Sequence, residues 1–117
     1  MAVATNITEG LTRVAELVAA DATHLAVGTG TTPATAGDEQ LTTETNRMAK
    51  STTYQIGASF QIRGLFTNSN LPTTTEELGL FLDASSGTNS GDMLARVVSE
   101  FDKGSSDLLV IFDVTVV

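Results

Sequence analysis

The longest run of strand-forming apolar residues lies at the end of the chain. In Asp107-Leu-Leu-Val-Ile-Phe-Asp-Val-Thr-Val-Val117, Leu108, Val110, Phe112, Val114 and Val116 share one face of an extended segment, and Leu109, Ile111, Asp113, Thr115 and Val117 share the other. A run this rich in β-branched and aromatic residues, free of Gly and Pro, predicts a well-buried strand. Two strand patterns precede it. Leu78, Leu80 and Leu82 alternate in Glu77-Leu-Gly-Leu-Phe-Leu82, and the segment from Asp92 is apolar at Met93, Ala95, Val97 and Phe101. The joints 83–91 and 102–106 are dense in Gly, Ser, Asn and Asp, which predicts turns. Together these segments predict a three-strand antiparallel meander on which the rest of the chain packs.

Upstream, Tyr54, Ile56, Ala58, Phe60 and Ile62 alternate with Gln55, Gly57, Ser59, Gln61 and Arg63. That period predicts one strand over 53–63 with its first set of residues on the core. His24-Leu-Ala-Val-Gly28 predicts a short strand, and the chain is strand-like again from Glu44. Near the N-terminus Ile7, Leu11, Val14, Ala15 and Val18 recur at helical spacing, predicting an amphipathic helix of about three turns that closes at Asp21 and Ala22. Asn6 or Thr8 is placed to cap it, with Glu9 near its positive end. Asp38-Glu-Gln-Leu41 has the length of one more helical turn. The expected fold is therefore mainly β (α+β), an antiparallel β-sheet or sandwich with one N-terminal amphipathic helix, in a single domain over 1–117.

Charge narrows the partners. Six basic residues against 14 acidic ones give a net charge of −8. Phosphate backbones and anionic membrane surfaces are held by Lys and Arg, so neither a nucleic acid nor a membrane is an expected partner. No apolar run approaches the ~20 residues of a bilayer span. The first residues lack the basic and apolar regions of a secretory signal, and the protein is expected to be made in a cytoplasm. Without cysteine there is no disulfide or thiolate framework.

Candidate chemistry is sparse. Gly28 and Gly30 form a G-x-G in a loop of Thr, Ala and Pro, but no Gly-Lys-Ser/Thr follows, so a connecting loop is expected rather than a phosphate cradle. His24 is the sole histidine, with no second His or Cys to share a metal and no G-x-S-x-G nucleophile elbow to serve. Asp38 with Glu39, and Asp83 with Asp92, lack the alternating carboxylates of a calcium loop. The sequence assigns no catalytic residue, no cofactor and no metal ligand, and the expectation is a protein that is not an enzyme.

Several stretches, taken in order, resemble a known family. They are Ile7-Thr-Glu-Gly-Leu11 through Ala20, His24-Leu-Ala-Val-Gly-Thr-Gly-Thr-Thr-Pro33, Glu44-Thr-Asn-Arg-Met48, Glu76-Glu-Leu-Gly-Leu-Phe-Leu82 and Asp92-Met-Leu-Ala-Arg96. The chain looks like the N-terminal virion-attachment domain of tailed-phage tail-fibre and tail-collar fibre proteins, a family that includes small free-standing phage proteins. The resemblance covers nearly the whole chain. Since no shaft or receptor-binding tip follows, it implies the attachment role and not recognition of a host surface.

What the resemblance implies is a small virion structural subunit, located in the virion, docking on other virion proteins of tail, baseplate, collar or capsid. A symmetric homo-oligomer in the particle is expected with it, because virion positions are symmetric. Loops 29–38, 67–75 and 84–91 and the strand carrying Gln55, Ser59 and Gln61 are its expected contact surfaces. The alternative is a small β-rich carbohydrate- or receptor-binding module. Such a site wants exposed aromatic rings, and the chain has no Trp and one Tyr, Tyr54, expected on the core side of its strand.

Overall fold

A computed structural model describes residues 5, 7–67, 74–102 and 104–117. Among them one helix, α1 (Thr8–Asp21), leads into seven strands: β1 (Ala22–Gly28), β2 (Glu44–Ala49), β3 (Thr52–Ile56), β4 (Ser59–Phe66), β5 (Thr74–Leu82), β6 (Asp92–Asp102) and β7 (Leu108–Thr115). The strands form two antiparallel sheets, sheet A in the order β2-β1-β5-β6 and sheet B in the order β3-β4-β7. The mainly β architecture with one N-terminal helix is as the residue pattern predicts.

The core lies between the sheets. Leu25 and Val27 of β1 with Leu78 and Leu80 of β5 meet Phe60, Ile62 and Phe66 of β4 and Val110 and Phe112 of β7. Helix α1 lies against β4, β3 and β1, joining this core through Ala15 and Ala19. A smaller cluster of Ala26, Leu41 and Phe81 sits on the other face of sheet A. No described helix is long and apolar enough to cross a membrane.

Four expectations are corrected. First, the last three strands are not a meander: β5 pairs with β6, but β7 crosses to sheet B and pairs with β4 from Ser59↔Thr115 to Phe66↔Leu108. The alternation in β7 fixes which residues face inward, and both sheets offer an inward face, so the pattern alone does not choose the sheet.

Second, residues 53–63 are a hairpin and not one strand. Gly57, at φ +57°, lets the chain reverse between β3 and β4. Ile56 then pairs with Ser59, and Tyr54 with Gln61. Even-numbered residues before the turn thus share a face with odd-numbered ones after it. Phe60 and Ile62 are buried as expected, while Tyr54 and Ile56 point outward at 58% and 65% exposure.

Third, the helix buries a narrower stripe than its pattern. Ala15 and Ala19 are buried and Leu11 and Val18 half-buried, but Ile7 and Val14 are exposed, as is Leu17. The small alanines bring the helix backbone close to the sheet, leaving room for fewer residues per turn. Ile7 occupies the N-cap position and no side chain caps it; Thr8 opens the helix, and Asn6 lies outside the described residues. Lys50 Nζ donates to Ala19 O at the far end, 3.0 Å away.

Fourth, Asp38-Glu-Gln-Leu41 forms no helical turn. The Asp38 carboxylate instead accepts the amide and hydroxyl of Thr35, at 3.0 and 2.9 Å, and closes a turn. The expected loop 67–75 falls largely on residues 68–73, outside the described set, and β5 already begins at Thr74.

Candidate functional site

Two buried ion pairs shape the loops. Glu77 lies on the outer face of sheet A and is fully buried. Its Oε1 accepts the amides of Gly30 and Thr43 at 3.1 and 2.7 Å, and its Oε2 accepts the amide of Thr42 at 3.0 Å. Arg96 Nη2 adds a bond to Oε2 at 2.9 Å and reaches Thr32 O at 2.8 Å; its Nη1 meets Asp38 Oδ2 at 3.0 Å. Burial pushes the Glu77 carboxyl up, but the amides of Thr43, Thr42 and Gly30 and the Arg96 guanidinium outweigh it and hold it below its ordinary value.

This arrangement accounts for the G-x-G. A Cβ on Gly28 would strike Thr43 O and Glu77 Oε1, and one on Gly30 would strike Thr42 and Glu77. The glycines let the loop close on a carboxylate of the chain itself, and the Gly30 amide already serves Glu77.

The second pair is Glu44 and Arg47, the first and fourth residues of β2. Arg47 Nε and Nη2 donate to the two carboxylate oxygens of Glu44 at 2.8 Å each. Arg47 Nη1 also holds Ser85 O and Ser90 O at 3.0 and 2.9 Å, and the guanidinium stacks over the Phe81 ring at 4.6 Å. Loop 84–91 is thereby tied to β2. His24, which neighbours this region in β1, bonds Thr23 Oγ1 through Nδ1 at 3.0 Å; burial and then the Arg47 charge lower its pKa. Among the described residues no group of His, Cys, Asp or Glu is placed to hold a metal ion, Asp38 with Glu39 and Asp83 with Asp92 included.

Among the described residues, the outer face of sheet B groups several exposed apolar side chains. Pairing places Thr52, Tyr54 and Ile56 of β3 beside Ser59, Gln61, Arg63 and Leu65 of β4, and these beside Leu109, Ile111, Asp113 and Thr115 of β7. Leu65, Leu109 and Ile111 are 42%, 56% and 46% exposed and form an apolar end. At the other end Tyr54 and Ile56 border a shallow depression of about 360 Å³, lined also by Ser59, Gln61, Asp113 and Thr115. Polar bonds lie between these ends: Arg63 Nη2 donates to Gln61 Oε1 at 2.8 Å and Gln61 Nε2 to Asp113 Oδ2 at 3.4 Å, while in the Ile56 row the Ser59 and Thr115 hydroxyls lie 2.9 Å apart.

Of the surfaces the sequence suggests, Ser59 and Gln61 do lie on this face; Gln55 turns inward and donates to Thr12 O of the helix at 3.3 Å. The sequence reading missed Glu77 with Arg96. The available signal was a carboxylate inside the apolar strand Glu77-Leu-Gly-Leu-Phe-Leu82, since a buried charge demands a partner. No protein-family model matches the chain, and no curated protein matches its sequence.

Proposed function

We propose that this chain is a virion structural protein of a tailed phage, a small attachment, adaptor or decoration subunit that docks on other virion proteins without catalysis. The resemblance of its ordered motifs supplies the setting. The residues that carry it, Glu44 with Arg47 and Glu76-Glu-Leu-Gly-Leu-Phe-Leu82 with Arg96, are engaged in pinning loops to the sheet, which is structural work. The observation that carries the reading is the outer face of sheet B, which leaves Tyr54, Ile56, Leu65, Leu109 and Ile111 uncovered on an otherwise acidic protein. Apolar side chains grouped on one face are what protein–protein contact uses. The test is to purify particles and measure the copies of this chain relative to the portal or major capsid protein. A fixed, symmetric ratio is expected; absence from the particle while the gene is required for infection would sink the reading.

The exposed Tyr54 favours a second reading, a carbohydrate-binding module. Its ring flanks the depression lined by Gln61, Asp113, Ser59 and Thr115, and a sugar face can stack on a ring while its hydroxyls bond such side chains. Glycan-array binding that disappears in Tyr54→Ala would establish this reading, and a blank array would dismiss it.

A further inference from the structure

Sheet A has four strands and sheet B three, and the mismatch falls at one place. Val97 of β6 pairs with Leu78, so it turns toward the inner face, yet it is 43% exposed where Leu78 is 9% exposed. The inner side of β6 thus lacks the cover that sheet B gives to β5. The edge of sheet B on this side of its strand order is β7.

The other three edges are each interrupted or tied down. The β2 ladder shifts register opposite Gly28, and Arg47 binds that strand to loop 84–91. In β6 the ladder shifts twice, and Arg96 is held by Thr32 of the facing loop. Strand β3 has five residues, and Gln55 fastens it to α1. By contrast, β7 keeps unbroken register with β4 from Leu108 to Thr115, with no Gly, Pro or Lys. Long regular edges of this kind invite pairing and are normally blunted. Val116 N donates to Ala58 O on the β4 side. The alternation of an antiparallel ladder then turns the amides and carbonyls of Leu109, Ile111 and Asp113 away from β4.

We propose that the edge of β7 accepts an extended segment of a partner protein, which becomes the fourth strand of sheet B. The chemistry of the segment follows from its surroundings. Its inward residues meet Val97 and are apolar. Its outward residues lie beside Leu109, Ile111 and Asp113, so the one next to Asp113 is basic and the others are apolar or uncharged. A second copy of β7 is the poorer occupant, because it would bring together two chains that each carry a net charge of −8. Main-chain bonds would give the affinity and alternate side chains the selectivity, as in other strand additions. The proposal rests on the assembly reading only in supposing a protein partner. The particle measurement can fail while the binding described next succeeds, so the two are distinguishable.

The probe is a synthetic peptide of about ten residues with valine at every second position and lysine or threonine between, added to the intact protein and followed by NMR amide exchange. Exchange at Leu109, Ile111 and Asp113 should slow by at least about tenfold, with the Val97 methyl resonances shifting. A peptide with glutamate in place of lysine should bind about tenfold more weakly. A peptide with prolines at the positions that donate to β7 should not bind, a control that leaves the protein's fold untouched. Binding indifferent to the prolines, or protection centred on Tyr54, would overturn the strand addition. Protection of the same amides by raising protein concentration alone would overturn the choice of partner in favour of a second copy.

Discussion

Both Nε and Nη2 of Arg96 reach the single Oε2 of Glu77, at 3.1 and 2.9 Å, while Oε1 is filled by backbone amides. The two side chains are 3% and 0% exposed. Removing one partner from such a pair leaves an uncompensated buried charge. Arg96→Met should therefore destabilise the protein by about 3–5 kcal/mol. Glu77→Gln should also destabilise it, since its amide nitrogen would face N–H donors. Urea unfolding gives the values, and a midpoint unchanged in Arg96→Met would contradict the account.

Acid should act through the same carboxylate. Despite its burial, the amides of Thr43, Thr42 and Gly30 and the Arg96 guanidinium hold the folded Glu77 carboxyl below its ordinary value, and the Thr35 backbone and side-chain hydrogen bonds and then Arg96 lower that of Asp38. A group depressed in the folded state contributes stability that is present above its unfolded pKa and lost as pH falls through its folded one. Stability should accordingly be level near neutrality and decline below about pH 4–5. In Glu77→Gln the decline should be shallower, which a series of thermal midpoints from pH 7 to pH 3 would reveal.

The strand pattern assigns weights to residues that look alike in composition. Leu80 is fully buried and Phe112 8% exposed, while Ile111, adjacent to Phe112, is 46% exposed. Leu80→Ala and Phe112→Ala should each cost about 2–5 kcal/mol. Ile111→Ala should cost less than about 1 kcal/mol. Denaturation midpoints ranking Ile111 with the other two would mean that β7 presents the opposite face.

Much of the fold was legible because period-two alternation and helical spacing report burial directly. Leu78 and Leu80 share one face by that rule, as do Val110 and Phe112, and both sets face the core. Where it failed, parity failed. The reversal at Gly57 exchanges the faces of even and odd residues, so the apparent continuity from Tyr54 to Ile62 concealed a hairpin. A register shift in β6 did the same on a smaller scale. Met93 joins the outer cluster beside Phe81 and Ala95 the inner core, though they are two residues apart. The outer face of sheet B was only half visible for this reason. Ser59, Gln61 and Arg63 were expected on the outside, and Tyr54 and Ile56 were not.

The glycines of the loop after β1 offer a separate check on the buried carboxylate. In Gly30→Ala the new methyl would press on Thr42 and on the Glu77 carboxyl. Overpacking of this kind costs about 1–3 kcal/mol. The expected signature is local as well as global: proteolysis or amide exchange within loop 29–43 should accelerate more than exchange in β4, because the loop's bonds to Glu77 are the ones displaced. Equal acceleration in both would place the strain elsewhere.

The outer face of sheet B should be separable from stability altogether. Tyr54, Ile56 and Leu109 are each more than half exposed, at 58%, 65% and 56%. Their replacement by serine removes little that the folded chain buries, and each change should stay within about 0.5 kcal/mol of the parent. If the face is the docking surface, the same three serines should lower incorporation into particles at least about tenfold, since apolar and aromatic anchors dominate such contacts. Core changes such as Leu80→Ala would reduce incorporation only in step with lost stability, so plotting one against the other for both sets of variants tells the effects apart. Normal incorporation of the triple serine variant would move the docking surface to the loops or to the β7 edge.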